Sequence, residues 1–347
     1  MIGYYIHHHG SGHLHRATSI AHALGQPVTG LSSLPKPGDW PGDWVDLPLD
    51  TDGAPALDPT AGGVLHWVPV GSAGLRGRMA AISAWIASAA PAGFVVDVSV
   101  EVALLARLHG VPVITMGQPG DRTDAAHTLG YAVSAAVVAP WPAAARPLTR
   151  RSGPAETSVG AISRIAVIPA GERVSRRVVV LRGRGSRGPS PLDSAVEAIR
   201  TLGGWEMVEA KGGAAAIAAA LADATVVLSH CGQNAVAEIA ATRSPAILIP
   251  EDRPHDEQRS LARALRELEC PALVLDAEMP PTSEEWGALL EQAARLDGAR
   301  WQVWCPGDGA SLAAAAILSV SNSVSNTVRS NTVRSTIMRP TTVGPTT

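Results

Sequence analysis

The order of apolar runs in this chain predicts an α/β protein with two doubly wound, Rossmann-like domains facing across a cleft. Three observations carry that prediction. First, each half opens with a strand, a glycine turn and a helix. In the first half these are Ile2 to His8, Gly10-Ser11-Gly12 and His13 to Leu24; in the second they are Val178 to Leu181, the basic loop Arg182 to Gly188, and Leu192 to Leu202. Second, short β-branched runs alternate with helical stripes from end to end, as buried parallel strands and their crossover helices do. Third, 347 residues that are 46% hydrophobic and 17% charged can fill two cores.

The elements follow in order. Val28 to Leu31 and Asp43 to Leu49 read as the second and third strands, separated by a loop rich in Pro, Gly and Trp. Arg76 to Ala89 is helical, with Met79, Ile82, Trp85 and Ile86 on one stripe that belongs to the core. Phe94 to Asp97, Val111 to Met116 and Ala132 to Ala139 are strands, with a helix over Val100 to Leu108. The first domain therefore spans 1–145, a Pro/Ala/Gly/Arg-rich connection spans 146–177, and the second domain spans 178–320. Its final apolar helix runs from Ser311 to Val320. Residues 321–347 are Ser/Thr/Asn-rich, and Ser325 to Arg329 nearly repeats as Ser330 to Arg334, so disorder is expected there.

Composition excludes several function classes. A net charge of −3 gives no electrostatic footing for nucleic acid. No apolar run reaches the length of about eighteen residues needed to span a membrane. The start, Met1 to Tyr5, lacks the basic and apolar regions of a signal peptide, and three widely spaced cysteines read as free thiols. The expected location is the cytoplasm or the inner face of its membrane. Trp40 and Trp44 could touch an acceptor or lipid headgroups, but a packed loop is the plainer reading.

Candidate chemistry concentrates in two stretches. The first is Ser229 to Gln258. There Thr225 to Leu228 forms a strand, Gly232 permits a turn, and Asn234 can cap a helix starting at Ala235. A helix start of this kind presents free N–H groups and a positive dipole end to an anion such as phosphate. Glu238 follows one turn later, and the strand Ala246 to Ile249 delivers Asp256 and Gln258 to the same crevice. Singly, His230 reads as a strand-end histidine bonded to backbone, Glu238 as a solvated glutamate and Asn234 as a cap; jointly they read as a nucleotide site. The second stretch is Gly10 to Ala17, at the carboxyl end of the first strand.

His230-Cys231-Gly232-Gln233-Asn234, with Glu238 four residues on, then Ser244-Pro245, an apolar strand and Asp256-Glu257-Gln258, resembles the donor signature of the two-domain (GT-B) nucleotide-sugar glycosyltransferases. His230 to Gly232 is similar to the plant UDP-glycosyltransferases. The overall shape is closer to the lipid II-forming N-acetylglucosaminyltransferase group of peptidoglycan synthesis. The resemblance implies that His230 and the backbone from Gly232 through Gln233 and Asn234 to Ala235 hold a diphosphate. It implies that Glu238 binds both ribose hydroxyls and that Asp256 and Gln258 meet the sugar. Ala235 stands where many relatives have Ser or Thr, and Arg243 where a glycine usually ends the helix, so a left-handed cap there would be strained. Gly10-Ser11-Gly12-His13 resembles the amino-terminal loop of the same group and, with Arg16, the loop of nucleotide-sugar hydrolases of that fold. The resemblance puts Gly12 near the donor and makes His13 the general base. The basic loop Arg182 to Gly188 resembles the glycine loop opening the donor domain, which would set Gly185-Ser186 against the donor, with Arg182 or Arg184 neutralising phosphate unless the loop is a solvated basic turn.

These readings converge on an inverting transfer from a nucleotide diphosphate sugar, UDP-sugar first, to an acceptor hydroxyl, with the nucleotide-sugar as substrate and no cofactor. A hydrolase of the same fold and a non-catalytic nucleotide-sugar binder are the alternatives. Asp97, Asp121, Arg122 and Asp124 end strands on the acceptor side, where they serve either an acceptor or a capped, salt-bridged loop. No metal is expected. Consecutive strand residues face opposite ways, so His7, His8 and His9 cannot all ligate one ion; His9 with His13 could, but no acidic or cysteine ligand lies nearby in sequence, and the resemblance implies a metal-free site.

Overall fold

The computed structural model describes residues 1–51, 56–145, 148–183, 190–276 and 281–337. Two parallel sheets form its two domains. The amino-terminal domain contains β1 (Ile2–Ile6), α1 (Gly12–Leu24), β2 (Val28–Ser32), β3 (Asp43–Asp46), α2 (Ala73–Ala89), β4 (Gly93–Asp97) and α3 (Val100–Leu108). It continues with β5 (Val113–Met116), β6 (Gly120–Asp121), α4 (Ala125–Ala132), β7 (Ala136–Ala139), β8 (Thr149–Arg150) and β9 (Glu156–Ser158). The strands order as β3-β2-β1-β4-β5-β7-β9, with β6 and β8 paired apart. The carboxyl-terminal domain contains β10 (Arg177–Leu181), α5 (Pro191–Leu202), β11 (Glu206–Glu209), α6 (Ala214–Asp223), β12 (Val226–His230) and α7 (Gln233–Ala241). It is completed by β13 (Ala246–Ile249), α8 (Glu257–Glu267), β14 (Ala272–Val274) and α9 (Ser283–Ala294), with strand order β11-β10-β12-β13-β14.

Both orders reverse direction beside the first strand, at β1/β4 and at β10/β12, where β1 pairs with β2 and β4, and β10 with β11 and β12. Ligands of open α/β sheets sit outside the carboxyl ends of the strands at such reversals. The sequence supplies the layers directly. β1, β4 and β12 are wholly buried, so their runs are mostly apolar and do not alternate, with polar residues gathered at their carboxyl ends in β4 and β12. Trp40, expected in a packed loop, is buried edge-on against Tyr4 and Trp44.

The last sheet strand of the first domain, β9, lies inside 146–177, which the sequence assigns to the connection. β9 is short and polar, so it carries no apolar signal; pairing with Val137 to Ala139 makes it a strand. The final helix α10 (Gly309–Ile337) returns to the first domain, where Ala313, Ala314 and Ile317 join the cluster of Ile2, Tyr4 and Ile20. It continues past residue 320 to Ile337, over part of the segment expected to lack order. A helix nucleated by tertiary packing propagates at one hydrogen bond per residue fixed, and low complexity alone does not stop it.

The chain crosses between domains twice, and the crossings touch. The Ala161 N–H donates to the Trp304 carbonyl at 2.9 Å. Gly160 packs on Pro306 so closely that a Cβ at residue 160 would fall within 2.9 Å of its ring, and the Gly309 backbone lies against the Ala161 carbonyl.

Candidate functional site

A cleft of about 1290 Å³ separates the domains, lined on one side by Gly10 to His13 and on the other by His230 to Ala235 and Glu238. The two stretches singled out in the sequence therefore face each other. They approach so closely that a methyl at Gly12 would fall on the Asn234 amide, which gives Gly12 a steric reason to be glycine.

His13 sits in the first turn of α1. Its Nδ1 lies 2.9 Å from Asp97 Oδ1. Asp97 ends β4, the strand beside β1, and is completely buried. Arg16, one turn after His13 and equally buried, grips the same carboxylate with Nε at 3.0 Å and a terminal nitrogen at 2.5 Å. Burial would raise the pKa of Asp97, but Arg16 and His13 outweigh it and hold the carboxyl well below its usual range. An ionised carboxylate only accepts, so the 2.9 Å bond places the imidazole proton on Nδ1 and leaves Nε2 as a free acceptor. Arg16 also lies 3.3 Å from His13 Nδ1, but the shorter contact decides the tautomer. A third Arg16 bond, 3.0 Å to the Gln233 side-chain carbonyl, crosses the cleft and ties the histidine–aspartate pair to the donor-side loop.

On the donor side, α7 begins at Gln233, two residues earlier than expected, with Gly232 as its cap and no side-chain capping bond. Asn234 is thus not the cap. Extended backbone at Gly232 lets its carbonyl accept from Val236 N at 2.9 Å, and the Asn234 side chain is left to face Gly12. His230 ends β12 with Nδ1 3.3 Å from the Ile249 carbonyl and Nε2 3.1 Å from Glu251. Burial lowers its proton affinity.

Glu238 is buried, and its carboxylate receives Arg164 Nε at 2.6 Å; Arg164 in turn lies 3.1 Å from His15 Nε2. Burial raises the Glu238 pKa despite that partner. Arg164 comes from the connection and reaches the site only through the fold. Its single sequence signal is the abundance of arginine there.

Gln258 lines the cleft, and its side-chain carbonyl accepts from Cys231 N at 3.1 Å and Glu251 N at 2.9 Å. It thereby locks the ends of β12 and β13 together. Asp256 is not among the cleft-lining residues: it adopts φ 59°, with its carboxylate 4.0 Å from Arg263, while its neighbour Glu257 lines the cleft. Arg182 lines the cleft and binds Asp193 at 2.6 Å. Gly185, Ser186 and Arg184 lie outside the described residues.

The acceptor-side candidates divide. Asp97 is the partner of His13. Asp121 binds Thr123 and Arg150 on the surface, Arg122 is buried in an ion pair with Glu257, and Asp124 caps α4 through His127 N. None of Asp121, Arg122 and Asp124 lines the large cleft, although Gln118 and Pro119 of the same loop do. Arg243 does adopt a left-handed conformation, φ 55°. Its guanidinium offsets the strain with bonds to the Ala240 carbonyl at 3.0 Å, the Cys305 carbonyl at 2.9 Å and Gln302 at 2.7 Å. The three cysteines are buried free thiols, and burial pushes Cys270 up to about 12. No described helix is long and apolar enough to cross a membrane.

No curated protein matches the chain in sequence. Solved structures match it over nearly their whole length. MurG of Acinetobacter baumannii is 15% identical with a TM-score of 0.61, covering 92% of this chain and 99% of its own. The glycosyltransferase VinC, solved with dTDP, is 15% identical with a TM-score of 0.64 and the same coverages, 92% and 99%. UGT89C1 of Arabidopsis thaliana, solved with UDP, is 13% identical with a TM-score of 0.63, again over 92% and 99%. The family model that matches is the glycosyltransferase family 28 C-terminal domain, over residues 186–285, the segment holding His230, Glu238 and Gln258. Residues 186–285 thus match the glycosyltransferase family 28 C-terminal domain, within a chain whose fold is that of the two-domain (GT-B) glycosyltransferases.

Proposed function

We propose that the protein is an inverting glycosyltransferase that moves a sugar from a nucleotide diphosphate sugar, UDP-sugar first, to an acceptor hydroxyl. The observation that carries this reading is the His13–Asp97 pair at 2.9 Å, on the cleft wall opposite the start of α7. Nε2 of His13 would take the proton of the acceptor hydroxyl, and the imidazolium would be stabilised by Asp97. The acceptor oxygen would displace the nucleoside diphosphate at the anomeric carbon in one step, inverting it. Charge on the leaving diphosphate would be met by the N-terminus of α7, by Arg182 and by His230 once it exchanges Glu251 for phosphate. No step is routed through a metal ion. Glu238 would accept from the ribose hydroxyls, sharing its carboxylate with Arg164.

A hydrolase is the second reading, favoured by Arg16, which completes the Gly-x-Gly-His-x-x-Arg loop and holds Asp97. In that case His13 would activate water. The deciding experiment measures release of the free nucleotide across a panel of UDP- and dTDP-sugars, with and without acceptor alcohols. The transferase reading expects release only with an acceptor; equal release without one would establish the hydrolase, and no release from any donor would overturn both.

Glu238→Ala should weaken UDP binding by about ten- to a hundredfold, since a hydrogen bond to a charged group contributes roughly 1.5–3 kcal/mol. Calorimetry with UDP tests this, and unchanged affinity would reduce Glu238 to a partner of Arg164.

A further inference from the structure

A second cluster of titratable side chains lies outside the large cleft. His66 comes from the loop before α2, Asp124 and His127 from the first turn of α4, and His255 from the short 3-10 turn that leads into α8 of the other domain. One nitrogen or oxygen from each of the four lies within 4.8 Å of all the others. From this geometry we propose that His66, Asp124, His127 and His255 bind one divalent transition-metal ion of the zinc class, joining the two domains at the edge of the cleft.

The Asp124 carboxylate is the centre of the cluster. His66 Nε2 is 3.4 Å from Oδ1 and His255 Nδ1 is 3.8 Å from Oδ2, while His127 Nδ1 sits at 2.5 Å from Oδ2. The His127 ring lies 4.3 Å from that of His66 and 4.7 Å from that of His255. Zinc–nitrogen bonds of about 2.0–2.1 Å in a tetrahedron set neighbouring ligand atoms roughly 3.3 Å apart. To reach that spacing the His127–Asp124 contact must open and the His66 and His255 side chains must close in. Three imidazoles and one carboxylate also suit this ion class by chemistry.

Further observations point the same way. His66 Nε2 is buried and makes no hydrogen bond, although it is aimed at Asp124. The cluster's position is also fixed from outside. Glu101 accepts from the backbone of His66 at 2.8 Å, and Gly120 packs on the His255 carbonyl where no side chain would fit. His255 itself is held at φ 63°, a strained conformation of the kind that persists at functional sites. The neighbouring cation, Arg122, lies 3.4 Å from His127 Nε2 and has its charge met by Glu257. Sequence offers no sign of this site, because its ligands stand at positions 66, 124, 127 and 255, without a metal-binding spacing.

The test uses the untagged full chain, stripped with a chelator and titrated with zinc chloride in a calorimeter; cobalt absorption reads the coordination number. The expected result is one ion per chain with a dissociation constant at or below about 1 µM, a cobalt spectrum of four-coordinate intensity and a raised melting temperature. His66→Gln and His255→Gln should each weaken binding at least about tenfold, and the double variant should lose it while keeping the metal-free melting temperature. His7→Gln with His9→Gln should leave binding unchanged. The proposal is overturned if the native chain takes up no zinc at about 100 µM, if the double variant binds as tightly as the native chain, or if the His7 and His9 variant is the one that loses the ion.

Discussion

His13→Ala lowers turnover by about 10²–10⁴, the usual contribution of a positioned general base, while UDP affinity stays within about threefold. The separation follows from position. His13 bonds to Asp97, beside Arg16, on the amino-terminal wall, whereas His230, Glu238 and the start of α7 stand opposite. Removing the imidazole deletes the proton acceptor and leaves Arg16 on Asp97, so the fold should hold. Turnover, UDP affinity and melting temperature measured on one preparation check the result. A rate loss under about tenfold with an intact fold would remove His13 from the mechanism.

Asp97→Ala acts on stability as well as rate. Arg16 is 2% exposed, and with Asp97 gone the Gln233 carbonyl is the one hydrogen-bond acceptor left to it among the described residues. Breaking a buried ion pair from one side costs about 3–5 kcal/mol, so the urea midpoint should fall by that equivalent and activity should be lost with it. A loss below about 1 kcal/mol would mean that water reaches Arg16. The pH dependence has a definite sign. The folded Asp97 is a stronger acid than in the unfolded chain, so its contribution is complete above the unfolded value of about 3.9 and disappears as pH falls from there towards the folded one. Asp97→Asn, which keeps the shape, should flatten that acid limb.

Sequence carried the fold through the apolar runs of the central strands and through glycine turns at β1 and β10. It carried His13, His230 and Glu238 because each belongs to a short local pattern. What it could not show were pairings across long separations. Arg16 meets Asp97 81 residues away and Gln233 217 residues away, and Arg164 meets Glu238 across 74. No local period encodes such contacts. Asp97 was legible as a strand-end carboxylate, but its partner was set by the β1–β4 pairing, which only the sheet order reveals. Asn234 misread as a cap and β9 hidden in the connection are the same kind of case. Gly232 suffices as a cap without a side chain, and β9 is a strand only because β7 lies beside it.

The two chain crossings, held together by the Ala161–Trp304 bond and the packing of Gly160 on Pro306, also set how the molecule can move. Two covalent links lying side by side act as a hinge pin. They leave rotation about one line cheap, while sliding or separating the domains would strain both. On such a lever, displacement grows with distance from the pin. The wall carrying His13 and Asp97 can therefore swing as a unit towards the start of α7 without altering the 2.9 Å bond between them. Opening would instead break the Arg16–Gln233 bond and the Arg122–Glu257 ion pair, both of which join the two domains. The proton-accepting pair is built once, in one rigid body, and the swing decides only what it faces.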